Sequence, residues 1–270
     1  MGREVWILKT MNKMLKIAIL GLGEAGSHFA NDLVKMGVEV IGFDPNPIRK
    51  LDASIRFKNS NAEAVVNADI VFSANLSSVS VAIAEELASV LKSHQFFCEM
   101  NTSGPEKKMK IAEILKISGV KMIDLAIMAP VPPKGIMTPF LASGENAAEF
   151  LEKVKPLNLD LEILENSKVG DAATRKLLRS IVYKGIAAVV CEAMEAGEAF
   201  GMETYIRGQI SSLIGGNDEI IDRFVVGSRT HALRRMYEME AVIEMLEAQS
   251  LDPIMTRGTR NNLEKLSKCK

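Results

Sequence analysis

KIAILGLGEAG, residues 16–26, joins an apolar run to a glycine-rich turn and decides how the first half of the chain folds. The apolar run predicts a strand buried on both faces, as in a parallel sheet. The turn Gly21-Leu22-Gly23-Glu24-Ala25-Gly26 has the spacing GxGxxG and leads into a predicted helix at 25–36. In such a turn the glycines permit a tight bend, the approach of a pyrophosphate and close packing of helix on strand, and the helix N-terminus attracts phosphate. These six residues are therefore predicted to bind a dinucleotide.

Asp44 follows the next β-rich run, VEVIGF at 38–43, and lies 18 residues after Gly26. A carboxylate at this place can accept hydrogen bonds from the ribose hydroxyls, and it repels a 2′-phosphate. NAD is therefore the predicted cofactor. NADP stays possible, because Arg49 and Lys50 follow closely in the sequence.

The first half continues as an alternation of β-rich runs and helical stretches. The β-rich runs are 68–74, 95–100, 120–126, 139–143 and 161–164, and helical runs lie at 79–92, 105–117 and 145–154. This alternation predicts a Rossmann-type, doubly wound α/β fold with a mostly parallel sheet. Asn75 and Leu76, after the run at 68–74, are assigned to the cofactor site together with Asn101 and Thr102, which lie at the mouth of the sheet.

The pattern becomes helical after residue 166 and stays so nearly to the end. One long helix is predicted over 168–200, followed by three more near 203–214, 217–225 and 229–249. The chain is thus predicted to form a dinucleotide-binding Rossmann domain at 14–166 and a smaller all-α domain at 167–270. Residues 1–13 are an appendage in this interpretation, unless the true start is Met11 or Met14.

The long helix carries more apolar surface than a domain of about 100 residues can readily cover. Its apolar positions are Val182, Ile186, Val189, Val190 and Met194. We therefore predict that the helical domain both completes the substrate site and forms a homodimer.

Composition narrows the range of partners. The net charge is −1 with both signs interspersed, which argues against nucleic acid and anionic membranes as partners. Three cysteines and three histidines are scattered without ligand spacing, so no metal site is predicted. Without an apolar stretch long enough for a signal peptide or a membrane span, a cytoplasmic location is expected.

Residues 15 to 260 resemble the β-hydroxyacid dehydrogenase family, which includes 3-hydroxyisobutyrate and 6-phosphogluconate dehydrogenases. The likeness is greatest to a branch of phosphogluconate-dehydrogenase-like NAD-binding proteins. Four segments carry it: GLGEAG with Asp44, the loop Glu99-Met100-Asn101-Thr102-Ser103-Gly104-Pro105, the segment that begins at Asp124, and Gly170-Asp171-Ala172-Ala173-Thr174-Arg175-Lys176. The resemblance implies an NAD(P)-dependent oxidoreductase that acts on a small, anionic β-hydroxy acid or the matching carbonyl compound.

The resemblance assigns the catalytic acid/base role to Lys176, which closes the last of these segments. On a helix, Lys176, Arg179, Ser180 and Tyr183 form one polar stripe, and the last three are assigned to the substrate. A free lysine has a pKa near 10.4, so the site must lower it. Partial burial and the charge of Arg179 are expected to do so.

Two departures from the family pattern concern the substrate. Arg179 stands where family members usually have asparagine, and Met128-Ala129-Pro130 stands where they have a Ser-Gly-Gly turn. Proline removes an amide donor from that turn, so Arg179 or Lys134 is expected to take over the anchoring of a carboxylate. The assigned substrate residues therefore include Met128, Ala129 and Pro130, and 3-hydroxyisobutyrate is not the expected substrate.

Two local segments allow more than one interpretation. Ser103-Gly104-Pro105-Glu106 is typical of a capping box, while Asn101 and Thr102 can face nicotinamide or substrate. The basic segment at 231–235 can reach over the cleft to an anionic substrate, or Arg234 and Arg235 can form a solvated face paired with Glu238.

Two other functions compete with the dehydrogenase. An imine reductase shares this two-domain plan, although Lys176 argues against it. A regulatory protein that senses the dinucleotide without turning over a substrate is the alternative from another class.

Overall fold

The fold is described here from a computed structural model, which covers residues 15–47 and 50–268. The predicted appendage at 1–13, the possible starts Met11 and Met14, and Arg49 lie outside the described residues. Within them lie eight strands and ten α-helices.

One sheet contains all eight strands, in the order β3-β2-β1-β4-β5-β6-β7-β8. Their bounds are β1 Lys16–Leu20, β2 Glu39–Phe43, β3 Arg56–Phe57, β4 Ile70–Ser73, β5 Phe96–Glu99, β6 Lys121–Ile127, β7 Phe140–Ser143 and β8 Leu161–Ile163. Neighbours are parallel except β6 and β7, which are antiparallel. The predicted mostly parallel, doubly wound sheet is confirmed.

Helices cover both faces of the sheet. They are α1 Glu24–Lys35, α2 Asn61–Val65, α3 Ser80–Leu87, α4 Pro105–Leu115 and α5 Ala147–Val154. Ile17 and Ile19 of β1 face the core that α1 and α5 cover, and Ala18 and Leu20 face the core beneath α2, α3 and α4. Burial on both faces is the reason that β1 reads as a continuous apolar run.

The second half is helical, as predicted, and is organised around one long helix. Its helices are α6 Asp171–Ala199, α7 Glu203–Leu213, α8 Asp218–Thr230, α9 Ala232–Glu247 and α10 Ile254–Lys268. The other four all contact α6, which also reaches β6 and β7 of the sheet. The proposed boundary at 166/167 lies between β8 and α6 and stays a prediction.

Among the described strands and α-helices, three were not predicted from the sequence. The edge strand β3 has two residues and α2 has five, too few to show a period. The third is α10, which buries Thr256, Thr259 and Leu263 against its neighbours. Because two of these three residues are polar, apolar periodicity does not reveal the helix.

The expected capping box at Ser103 is wrong. Helix α4 begins at Pro105, its N-cap is Gly104, and no side chain caps it. The hydroxyl of Ser103 is instead buried without a hydrogen-bond partner.

None of the described helices is both long enough and apolar enough to cross a membrane. The same part of the chain contains no cluster of three or more His, Cys, Asp or Glu side chains that could hold a metal ion. Cys98 and Cys191 are buried free thiols.

Candidate active site

The glycine turn lies at the carboxyl end of β1, and two of its glycines have no room for a side chain. Gly21 has φ +93°, and a Cβ there would lie 2.6 Å from the carbonyl oxygen of Ala74. A Cβ on Gly26 would lie 1.9 Å from the carbonyl oxygen of Gly21. Helix α1 follows with Gly23 as its N-cap and no side chain on its first amides. These free amides and the positive end of the helix fit a dinucleotide phosphate.

Asp44 ties the turn to the end of β2. Its Oδ2 accepts a hydrogen bond from the amide of Leu22 at 2.7 Å, and its Oδ1 accepts one from Asn46 at 2.8 Å. The side chain of Leu22 is fully buried, so only its backbone serves the site. Lys50 is exposed, and its carbonyl oxygen accepts a hydrogen bond from Asn31.

A cleft of about 720 Å³ opens above this turn, at the carboxyl ends of β1, β2 and β4. Eight predicted site residues line it: Gly21, Gly23, Glu24, Ala25, Asp44, Asn75, Leu76 and Pro130. Gly26 is buried beneath the turn. His231 and Arg234 line the cleft from the helical half. Both halves of the chain therefore contribute to one cleft.

Lys176 lies on the second turn of α6 and points to the loop after β5. Its Nζ donates a hydrogen bond to Oγ1 of Thr102 at 2.8 Å. The preceding Asn101 donates to Oδ1 of Asn75 at 2.9 Å, and Asn75 lines the cleft. Two side-chain hydrogen bonds and one peptide thus connect Lys176 to the wall of the cofactor cleft.

Burial lowers the pKa of Lys176 to about 8, because a charged amine loses its hydration. Glu238 opposes this effect, while the positive charges of Lys108, Lys184 and Arg234 add to it. Arg179, which the sequence suggested for this role, donates from Nη1 to the carbonyl oxygen of Met128 at 2.5 Å. At neutral pH Lys176 is therefore mostly protonated, with a neutral fraction far larger than that of an exposed lysine.

The residues of the polar stripe of α6 contact several other parts of the chain, and Ser180 contacts α9. Ser180 donates to Oε1 of Glu238, and Lys184 pairs with the same oxygen at 2.7 Å. Burial raises the pKa of Glu238, but Lys184, Lys176 and the Ser180 hydroxyl outweigh it and bring the pKa to about 2. Tyr183 packs edge-on against Phe224. Ser180 and Tyr183 thus have partners within the chain, so the polar stripe does not require a ligand at these two residues.

The segment at 128–134 lies between α6 and the cleft. The amide of Met128 donates to the carbonyl oxygen of Pro139 at 2.8 Å, and its own carbonyl oxygen receives Arg179. Ala129 is partly buried, Pro130 lines the cleft, and Lys134 is exposed. Arg179 is thus placed to hold this turn against α6.

The two arginines of the basic segment have different places. Arg234 lines the cleft, whereas Arg235 is buried, with Nη1 donating to Ser228 at 2.9 Å. Glu238 pairs with Lys184 on another helix. The solvated face with Arg–Glu pairs is therefore wrong, and Arg234 is the residue that reaches over the cleft.

Three charged residues that act on Lys176 were not predicted from the sequence. They are Lys108, Lys184 and Glu238, the last of which is the counter-ion of Lys184. The position of Lys184 could have been predicted from the sequence, since it follows Ser180 by four residues on the same helix face. Lys108 and Glu238 lie on other helices, and no spacing along the chain indicates their proximity to Lys176.

Comparison with known proteins gives matches along nearly the whole chain. Residues 16–157 match the model of the NAD binding domain of 6-phosphogluconate dehydrogenase, and residues 198–266 match a domain of unknown function. An uncharacterized 28.5 kDa protein of Methanothermus fervidus is 27% identical over 94% of this chain and 100% of its own length. The 2-(hydroxymethyl)glutarate dehydrogenase of Eubacterium barkeri is 24% identical over 72% of this chain and 67% of its own. The fold is similar to 3-hydroxyisobutyrate dehydrogenase of Mycobacterium tuberculosis, with 17% identity, a TM-score of 0.75 and 94% of each chain covered.

Proposed function

The chain belongs to the family of the NAD-binding domain of 6-phosphogluconate dehydrogenase, an NAD(P)-binding family with a hydroxyacid-dehydrogenase-like fold, and on that premise we propose that it oxidises a small β-hydroxy acid or reduces the matching carbonyl compound. Lys176 is the general acid/base of this reaction. The observation that carries the proposal is the partly buried Lys176, whose Nζ is hydrogen-bonded to Thr102 and connected through Asn101 to the cleft.

NAD(P), when bound, accepts a hydride in the oxidation and supplies one in the reduction. The chain itself has to hold the substrate and move the proton of its hydroxyl group. Neutral Lys176 removes that proton at Nζ during oxidation, and protonated Lys176 returns it during reduction. Thr102 accepts one N–H of the lysine and so orients the amine.

Charge supports an anionic substrate. Arg234 lines the cleft, and its positive charge also acts on Lys176. We propose Arg234 as the carboxylate anchor in place of Arg179, whose guanidinium is engaged with Met128. The proposal also includes a preference for NAD over NADP, because the carboxylate of Asp44 repels a 2′-phosphate. A cytoplasmic location remains our expectation.

The test is a spectrophotometric assay of NADH and NADPH formation against a panel of β-hydroxy acids, sulfonates and phosphorylated sugar acids, with cyclic imines assayed in the reductive direction. Turnover of a β-hydroxy acid supports the dehydrogenase. Turnover of an imine alone replaces it with the imine reductase. Tight binding of NAD without turnover of any compound favours a sensor and contradicts the proposal.

The pH dependence of the two directions is expected to be opposite. Oxidation needs the neutral amine of Lys176, so kcat/KM rises with pH through a midpoint near 8 and then levels off. Reduction needs the protonated amine, so its kcat/KM falls through the same midpoint. Profiles measured between pH 6 and 10 check this, and a midpoint near 10 in both directions contradicts it.

We also propose that the chain forms a homodimer through one face of α6. Four apolar residues are exposed on this face at helical spacing: Leu178, Val182, Ile186 and Val189. Val182 and Val189 expose 63% and 60% of their surface. Val190 and Met194, which the sequence analysis included, instead pack inward with Phe224. The patch is thus narrower than predicted, but it extends along several turns of α6.

Val182→Glu is expected to convert the dimer to a monomer, because it places a charge in the centre of an apolar contact. Sedimentation velocity at micromolar concentration checks this. Val66→Glu is the matched control, since Val66 is similarly exposed at the end of α2, outside this face. A wild-type monomer, or a Val182→Glu dimer, contradicts the proposal.

A further inference from the structure

A fully buried lysine lies beneath the active site and has no role in the reaction proposed above. Lys108 of α4 is 1% exposed. Its Nζ donates to the carbonyl oxygen of Glu99 at 2.9 Å, pairs with Oε2 of the same residue and lies 3.2 Å from Oδ1 of Asp124. Glu99 and Asp124 are register partners on β5 and β6. Two neighbouring carboxylates without water repel each other, and the ammonium group between them compensates that repulsion.

One arm of this network reaches the start of α6. Oδ2 of Asp124 accepts hydrogen bonds from the amides of Gly170 at 3.1 Å and Ala173 at 2.9 Å. These are amides that the first turn of a helix leaves without internal partners. Lys176 follows Ala173 by three residues, so Asp124 fixes the turn that precedes it.

The other arm reaches the loop opposite Lys176. Oε1 of Glu99 accepts a hydrogen bond from Nδ2 of Asn101 at 2.5 Å. The next residue, Thr102, accepts the hydrogen bond from Lys176. Through its two arms, the network of Lys108, Glu99 and Asp124 holds both partners of that hydrogen bond.

We propose that Lys108 is a positioning residue for the acid/base Lys176, because it joins the two carboxylates that fix the start of α6 and the loop of Thr102. The inference rests on the proposed function of Lys176. Lys108 itself touches neither cleft nor substrate site in this arrangement.

The charges that act on Lys176 come from three helices. Glu238 and Arg234 belong to α9, Lys184 to α6 and Lys108 to α4. Burial lowers the pKa of Lys108, but Glu99 and Asp124 raise it by more, so Lys108 stays protonated while Lys176 titrates. Its removal therefore takes a constant positive charge away and is expected to raise the pKa of Lys176.

The experiment measures how the reactivity of Lys176 depends on pH, with acetic anhydride as the probe and peptide mass spectrometry to locate the label. It needs no substrate. Lys108→Met is expected to raise the pH at which Lys176 is half-maximally labelled, from near 8, by at least about half a pH unit. Lys108→Met with Glu99→Gln is the second variant, because it removes both members of the ion pair and leaves no additional unpaired charge if the single variant does not fold. This variant removes a negative charge together with the positive one, so its midpoint is expected to rise by less than that of Lys108→Met.

Phe150→Leu is the matched control. Phe150 of α5 is fully buried in the core, so its replacement lowers the melting temperature without touching the network. An unchanged midpoint in the folded Lys108 variants, or an equal shift in Phe150→Leu, overturns the inference. A wild-type midpoint near 10.5 would instead contradict the acid/base role of Lys176, so the two failures are distinguishable.

Discussion

Replacing Lys176 with alanine is expected to lower kcat about 10²–10⁴-fold in both directions, the usual loss when a general acid/base is removed. Affinity for NAD(H) should stay near that of the wild type, because Lys176 bonds to Thr102 and not to the glycine turn. Steady-state kinetics with the substrate from the panel, together with fluorescence titration of NADH, check both parts.

Lys116→Ala is the matched control, because Lys116 is an exposed lysine at the far end of α4 whose ion pair is with its neighbour Glu113. This variant should keep wild-type kcat. Full activity of Lys176→Ala would remove the lysine from the mechanism, and equal losses of kcat and NADH affinity would indicate damage to the fold instead.

Gly26→Ala is expected to lower both stability and cofactor affinity. The new Cβ would lie 1.9 Å from the carbonyl oxygen of Gly21, a backbone atom, and 3.3 Å from Cγ2 of Ile19 on β1. The turn has to move, at a cost of about 1–3 kcal/mol as for other overpacked positions. Because the same turn holds the phosphates, affinity for NADH should fall at least about tenfold, which corresponds to about 1.4 kcal/mol. Thermal unfolding and calorimetric titration measure the two effects.

Gly208→Ala is a suitable comparison, since a Cβ on this residue of α7 has no other atom within 4 Å. It should keep the wild-type affinity and melting temperature or raise the latter slightly, as alanine favours a helix. Wild-type affinity in Gly26→Ala would show that the phosphate-binding role of this turn has been misassigned.

The cleft at the glycine turn was largely predictable because the residues that form it are local in sequence. The glycine spacing and Asp44 act through the backbone of residues close to one another, and the structure brings Asp44 onto the amide of Leu22. The position of Lys176 came from the family resemblance, and its place on a long helix from periodicity. The capping box failed although Ser103 and Glu106 suit it in sequence, because the helix begins at Pro105 with Gly104 as its N-cap, and proline favours the first helical position.

The proton-transfer site was less predictable because its charges come together only in the fold. Lys108, Lys176 and Glu238 lie on three helices; Lys108 is fully buried, and Lys176 and Glu238 are partly buried. A polar stripe on α6 looks the same in sequence whether it meets a ligand, water or a carboxylate of another helix. Here Glu238 meets it, so Ser180 and Lys184 are already paired.

By itself the sequence determined the mostly parallel sheet, the order of most elements and the glycine turn, because these depend on apolar periodicity and on glycine spacing over short distances. Only the tertiary structure decided which charges surround Lys176, which arginine reaches the cleft and which face of α6 stays uncovered. The physical reason is that the energy of a charge depends on its burial and on partners that are distant in the chain, and folding alone sets both.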